Sequence, residues 1–581
     1  MRSPPFLIGT GYLWALAAIC APGATAAGAP VAAASTPVPR AAEAAEAASA
    51  PVFGVAEIAF AGPPCTPSDM PARDIELLVR FRHESGSPAY EVHGFWDGDG
   101  KGGSSGNVFK VRFCPTVPGK WMLEEVRSGH ATLKGQKQGA CVVATPSDLK
   151  GFWTPDPDSP GRRWYKRSDG SHPFIFGNTH YSFITDRSDR DEQPGRIARD
   201  IAAEAAYFNK IRFSIHGCRY AHPTDKPFFD ASGRPTDNAD FSHRPNPAWF
   251  NRRVDAAVRA AFQADVIADL ILSGPDTPES RSALRALENA GDPAPLLKYV
   301  AARYGSFPNV WMCLSNEWNI KSPRYAADQI VHAGKTLRRF LPYPTPVSVH
   351  GNAGDWTAAL NAGGAEGGPP AWLDHVIVQG KIKTLAKAAD FIAANHRLGG
   401  AAMPVIDDEL GYQGEGDGFS LGDVVEGHLG ALVGGGYGTT GMKPAAKKGQ
   451  YFWGRFDPAE HTAAACLAWL RKAIQENVTF WKMQPVAPAE SIFPDAPAGC
   501  RAMAWPGQEY VLGTSAAQAD IQVRLPPGVW RVKRFDAIAR QEADLGELAG
   551  GGHKFDAPAS RAVLLHFKKI VAEPKAIEPP L

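Results

Sequence analysis

From residue 173 to residue 440, short apolar runs alternate with helical patterns, and this alternation limits the fold more than any other feature of the chain. Strand-like runs fall at 173–178, 210–216, 266–272, 310–314, 346–350, 375–379, 404–408 and 436–440. Between them, apolar residues recur at helical spacing, for example over 196–208, 250–263, 295–304, 324–340, 385–396 and 421–433. Strand, helix and strand in this order make a parallel sheet with crossover connections. Eight such units match a closed (β/α)8 TIM barrel. An open doubly wound sheet is the alternative, but no G-x-G-x-x-G opens any of these helices. The last run is the least regular, because 434–441 is rich in glycine.

A chain of 581 residues exceeds what one core usually holds, and the barrel accounts for only its middle. Ahead of it, alternating runs at 55–60, 75–81, 90–96, 108–113, 120–126 and 141–144 are divided by Gly, Pro, Asp and Ser clusters, which predicts a small Ig-like β-sandwich. Behind it, runs at 502–504, 510–514, 521–525, 528–535 and 561–567 predict a second β-sandwich, with Pro526-Pro527-Gly528 and Gly550-Gly551-Gly552 as turns. Residues 27–50 are Ala, Pro, Glu, Ser and Thr, too poor in large apolar side chains to fold, and read as a linker. The expected division is a signal peptide over 1–26, the linker over 27–50, the first sandwich over 51–148, the barrel over 149–485 and the second sandwich over 486–581.

The signal reading rests on Arg2, an apolar span from 6 to 19, and the small-x-small site Ala24-Thr25-Ala26. That span is short for a bilayer, so export with cleavage is expected over a stable membrane anchor, and the destination is periplasmic or extracellular. A lipoprotein site at Cys20 is disfavoured by the bulky Ile19 before it. In an oxidising compartment Cys65 could pair with Cys114 or Cys141. The cysteines are dispersed with no C-x-x-C, which argues against structural zinc. With 61 basic and 60 acidic residues, no charge surplus points to a nucleic acid partner. The sequence sets no oligomeric state.

Chemistry concentrates at two strand ends. The fourth run ends in Leu314-Ser315-Asn316-Glu317-Trp318, and the seventh, Pro404-Val405-Ile406-Asp407-Asp408, ends in Glu409. In a closed barrel all C-terminal strand ends share one rim, so these two carboxylates can meet across it. Facing carboxylates suit glycosidic cleavage, one as proton donor and the other as nucleophile or base, without metal or cofactor. The bland alternative is that each glutamate caps a helix or pairs with an arginine. Asn316 offers a hydrogen bond to a sugar hydroxyl, and Trp318 offers a stacking face or packs in the core. His180, His216, His350 and Gln379 end other strands, and Trp453 follows the eighth; each is a candidate sugar contact or a packing residue. A zinc site on His180, His216 and His350 lacks the H-x-H strand such sites use. The turn Asp97-Gly98-Asp99-Gly100 lacks the later glutamate of a calcium loop, and a plain turn is expected.

The segment 304–311 followed by Leu314-Ser315-Asn316-Glu317 resembles the acid/base strand of clan A glycoside hydrolases. More broadly, the mature chain is similar to bacterial multidomain hydrolases that place an immunoglobulin-like domain of unknown function before an apiosidase-like barrel and a β-sandwich. The residues that carry this are 92–98, 111–115 and 119–121 in the first domain, and 173–179 and 210–213 in the barrel. The resemblance implies a retaining glycoside hydrolase acting on a poly- or oligosaccharide, with Glu317 as acid/base, Glu409 as nucleophile and Asp408 supporting it. Glu409-Leu410-Gly411-Tyr412 departs from the polar or Cys-rich continuation of such relatives, so no sugar preference is carried over. A metal-dependent barrel hydrolase and a non-catalytic carbohydrate-binding protein are the competing readings.

Overall fold

The computed structural model describes residues 46–181, 183–185, 195–216, 225–274, 282–320, 324–351, 370–398, 403–443, 456–515, 518–558 and 560–570. Its centre is an eight-stranded parallel sheet. The strands are β1 Phe176–Thr179, β2 Lys210–Ser214, β3 Ile267–Ile271, β4 Val310–Cys313, β5 Val347–Ser348, β6 Val376–Val378, β7 Val405–Gln413 and β8 Tyr437–Met442. Each pairs with its neighbour in sequence, β8 returns to β1, and the remaining seam between β5 and β6 is closed by a parallel bridge from His350 to Ile377. At the same seam the Asp374 N–H donates to the Val347 carbonyl at 2.9 Å. All eight predicted strands are present, which removes the open-sheet alternative.

Side-chain alternation along the strands sorts the barrel into an inside and an outside. In β4, Val310 and Met312 join the core under the surrounding helices, while Trp311 and Cys313 belong to the clusters inside the barrel. The N-terminal mouth is plugged by a hairpin of Trp153–Pro155 and Tyr165–Arg167. The Tyr165 ring lies 4.6 Å from that of Trp311, and its hydroxyl lies 2.8 Å from His375 Nδ1. The helices fall where the apolar spacing placed them; Leu421–Val433 is started by a reciprocal cap, Ser420 Oγ accepting from the Asp423 N–H and Asp423 accepting from the Ser420 N–H. Among the described residues no helix is long and apolar enough to cross a membrane.

The first sandwich stacks a five-stranded sheet on a three-stranded one around a shared core. Its predicted strand 90–96 is two strands, Ala89–His93 and Phe95–Trp96, one in each sheet. Gly94 is the corner: its N–H donates to Leu77 O, and a Cβ there would sit 2.6 Å from the Leu77 side chain. The linker reading fails at its end, because Glu46–Pro51 is a strand paired in parallel with Cys141–Thr145. Composition misses it because an edge strand is held by backbone hydrogen bonds, and here Ala50 is small but buried. Cys65 is a buried free thiol, so neither of the two pairings open to it, with Cys114 or with Cys141, is made. The acidic turn is a plain turn: Asp97 accepts from Arg303 at 2.9 Å and faces Lys110 at 2.8 Å, and Asp99 accepts from the Lys101 and Gly103 N–H groups.

The second sandwich is one six-stranded antiparallel sheet folded on itself. Its longest strands, Gln518–Asp536 and Gln541–Ala557, form a hairpin. Beyond the register shift at Leu525/Val529, residues 529–536 also pair with Val563–Ile570, whereas 521–525 pair only with the hairpin partner. Ile521, Val523 and Leu525 nevertheless share a core with Leu512, Trp530 and Phe567, so the far half of the hairpin folds over the sheet. The Gly550–Gly552 triplet is therefore strand and not turn. A Cβ on Gly550 would lie 2.5 Å from Pro526 O, and glycine is what admits the bend there.

Both sandwiches are fastened to the barrel by ion pairs. Arg112 of the first reaches Asp255 between the barrel helices, and Arg303 bridges Asp255 at 2.8 Å and Asp97 at 2.9 Å, all of them buried. Arg561 of the second reaches Asp423 at 2.8 Å and Glu426 at 3.0 Å.

Candidate active site

Glu409 faces the barrel interior because β7 is irregular. Alternation sends Asp408 inward and Asp407 outward, so a regular strand would turn Glu409 outward as well. The pairing with β8 instead slips: Asp407 opposes Gly438 and Gly411 opposes Thr440, four residues on one side against two on the other. A bulge of this kind re-aims a side chain. Glu409 is 5 % exposed; its Oε1 accepts from the Tyr181 hydroxyl, and its Oε2 accepts from Gln379 Nε2 at 2.7 Å. Across the rim, Glu317 is 6 % exposed and has a left-handed φ of 48°. For a side chain of this size that conformation stores about 1–3 kcal/mol of strain and concentrates at functional sites.

The two carboxyls interact. Burial, and after it the facing Glu317 charge, push Glu409 up to about 7 against the opposing pull of Arg212, Tyr181 and Lys381. Burial and the Glu409 charge push the Tyr181 phenol well above its ordinary value, so it remains a donor.

Arg212, which sequence reasoning quoted only as part of β2, is the hub beneath them. It donates to the Tyr181 hydroxyl at 3.1 Å and to Asn316 Oδ1, and lies 3.5 Å from Asp408. His350 Nδ1 sits 2.5 Å from the same Asn316 oxygen and 3.9 Å from Glu409 Oε1. With Oδ1 committed inward, the Nδ2 donors are what Asn316 can offer a ligand. One layer down, Lys210 lies 2.6 Å from Asp408 and 2.7 Å from Asp269, and Thr439 donates to Asp408 at 2.7 Å. Burial would raise Asp408, but Lys210 and Arg212 outweigh it and hold the carboxyl at about 2. A signal for this layer exists in the sequence: Lys210 and Arg212 alternate on a strand buried on both faces, which demands buried counter-charges.

Of the predicted contacts, the structure gathers Asn316, Gln379 and His350 around the carboxyls. His180 is not among them: alternation on β1 points Asn178 and His180 outward, where both bind Glu204 of the helix Arg196–Ala205, at 2.6 and 2.5 Å. Tyr181, the next residue, takes the inward place. His216 lies 2.7 Å from the Leu272 carbonyl through Nε2, and burial pushes it down to about 4. Trp318 is packed in the core around the barrel helices rather than presented as a stacking face. Trp453 lies outside the described residues. The three histidines thus serve separate partners, and among the described residues no cluster of His, Cys, Asp or Glu is arranged to hold a metal.

Comparison with known proteins agrees with this architecture. Residues 159–440 match the apiosidase-like catalytic domain, and residues 49–124 match a domain of unknown function, DUF5060. No curated protein matches the sequence. Among solved structures, a candidate glycoside hydrolase from Bacteroides vulgatus ATCC 8482 superposes with a TM-score of 0.69 at 20% identity, covering 90% of this chain and 100% of its own. A family 5 glycoside hydrolase from the same organism gives a TM-score of 0.54 at 13% identity, over 73% and 95% of the two chains. At these identities the structures speak for the fold, and the matched catalytic domain speaks for the chemistry: the chain is a glycoside hydrolase built on an apiosidase-like barrel.

Proposed function

We propose that the protein is an exported, retaining glycoside hydrolase that cleaves O-glycosidic bonds of a poly- or oligosaccharide by double displacement. The observation that carries this is the setting of Glu409, buried at the rim opposite Glu317 and held by two side-chain donors. Glu409 receives two side-chain hydrogen bonds, from Tyr181 and Gln379, that favour its ionised form. These donors hold the Glu409 carboxylate in place to act as nucleophile, which leaves Glu317 as the proton donor. In the first step Glu409 attacks the anomeric carbon while Glu317 protonates the departing oxygen; in the second, Glu317 takes a proton from water, which attacks the same carbon and frees Glu409. Asn316 Nδ2 is placed to donate to a hydroxyl beside the reacting carbon. Export is supported by the leader-like residues 1–26.

The test is a glycoside and polysaccharide screen, followed by proton NMR of the first product formed. Retention is expected, with Glu317→Gln reducing turnover on poor leaving groups by about 10³-fold or more while leaving binding intact. An inverted first product refutes double displacement, and full activity of Glu317→Gln refutes the proton-donor assignment. Loss of activity on chelation would favour the metal-dependent reading.

A further inference from the structure

Asp407 is not part of the carboxyl pair, yet its surroundings show a function. It is fully buried, on the outward side of β7. Its Oδ1 accepts from two backbone groups: the Gly380 N–H at 3.0 Å and the Glu409 N–H at 3.2 Å. The second contact, from a side chain to the amide two residues on, substitutes for a ladder hydrogen bond at the point where β7 slips against β8. The first binds the segment after β6. That segment continues along the bulge, with the Lys381 N–H donating to Glu409 O at 3.1 Å and the Ile382 N–H to Leu410 O at 2.8 Å. Lys381 takes a left-handed φ of 49° to follow this path. Gly380 is required for it, since a Cβ there would lie 2.2 Å from Asp407 Oδ2.

We propose that Asp407 is a positioning residue: its carboxyl clasps the bulge that turns Glu409 inward to the segment that brings Gln379 to Glu409. The same oxygen holds the amide of Glu409 itself and that of Gly380, the residue after Gln379, so a single acceptor sets both ends of their hydrogen bond. Burial pushes Asp407 well above the ordinary carboxylate range, consistent with a neutral acid acting through its acceptor oxygen and not through charge. The role rests on the proposed place of Glu409 in catalysis, while the geometry it controls is independent of that reading.

The test compares Asp407→Ala, Asp407→Asn and Gly380→Ala in the full chain by crystallography and by kinetics on whichever glycoside the wild type turns over. In Asp407→Ala the Glu409 carboxyl is expected to leave Gln379 or Tyr181, with kcat falling about 10- to 100-fold and KM moving less than about threefold. Asp407→Asn, which keeps the acceptor, is expected to restore both bonds and kcat to within about threefold. Gly380→Ala should mimic Asp407→Ala, and its effect should shrink in the Asp407→Ala background, where the clashing oxygen is gone; it also decides the matter if Asp407→Ala does not fold. Unchanged Glu409 geometry with kcat within twofold in Asp407→Ala, or an Asn variant as impaired as the Ala variant, overturns the clasp. If the wild type hydrolyses no glycoside, the catalytic reading fails, while the crystal structures still decide whether Asp407 sets Glu409.

Discussion

The raised carboxyl of Glu409 should make the enzyme less stable as pH rises, and replacing it should remove that dependence. In the unfolded chain the group titrates near 4.5, and in the folded protein it is pushed up to about 7. Between these values the folded protein keeps a proton that the unfolded chain has released, so raising the pH favours unfolding. The sign is that of any raised group: the contribution is present below the unfolded value and lost by the folded value. A displacement from 4.5 to about 7 corresponds to about 3 kcal/mol at full ionisation, and Glu409 is buried enough for little solvent discount. Glu409→Gln cannot titrate. Its static cost, from the mismatch of an amide against Tyr181, does not vary with pH, so the difference between variant and wild type isolates the effect. Relative to wild type, the variant should gain about 3 kcal/mol between pH 4.5 and pH 8, a rise of roughly 3–5 °C in Tm for a unit of this size. Differential scanning calorimetry across that range reads it. A Tm difference constant with pH would show that Glu409 ionises normally in the folded state and would remove the electrostatic basis for the pair.

Tyr181→Phe removes the donor to Glu409 Oε1 while keeping the ring against Arg212. It should lower kcat about 10- to 100-fold and move the acid limb of kcat/KM, expected near pH 7 from Glu409, to higher pH, because the lost donor favoured the ionised carboxyl; an unmoved limb in a pH–rate profile argues against that hydrogen bond. Arg303→Met leaves Asp255 and Asp97 buried with one cation fewer, and should destabilise by about 3–5 kcal/mol, releasing the first sandwich to limited proteolysis; a loss under about 1 kcal/mol in thermal unfolding shows that Arg112 and Lys110 suffice.

Sequence periodicity revealed the barrel because each strand repeats the same demand, an apolar run followed by an amphipathic helix, eight times over. Glu317 and Glu409 were legible because they end such runs. What surrounds them was less so. The inward turn of Glu409 depends on a bulge, and no local pattern announces two extra residues between Asp407 and Gly411. The side of the strand taken by His180 depends on register: one residue decides between Glu204 outside and Glu409 inside, and Tyr181 won the inner place. Pro526-Pro527-Gly528 and Gly550-Gly551-Gly552 read as turns in the sequence because such triplets mark turns more often than bends within a strand. The strand Glu46–Pro51 carried little hydrophobic signal, since the side chains it adds to the core are small alanines and its pairing is made by the backbone.

The barrel interior is layered, and the order of the layers explains why the rim can hold two close carboxyls. At the base, Trp153, Tyr165 and Trp311 close the N-terminal mouth. Above them Lys210, Asp269 and Asp408 form an ionic layer whose charges satisfy one another. Arg212 belongs to both that layer and the next: one side faces Asp408, and the other donates to Tyr181 and Asn316. A surplus cation brought to this depth without Asp408 would be expensive to bury, and Asp408 without Lys210 and Arg212 would take up a proton. The ionic layer therefore makes it possible to fix a guanidinium beneath the carboxyls. In the mechanism proposed above, Tyr181, Gln379 and Arg212 would need no reorganisation as charge shifts between Glu409 and a sugar, and their dipoles would act at low dielectric. The burial that raises Glu409 at rest is thus the same condition that strengthens the donors holding it.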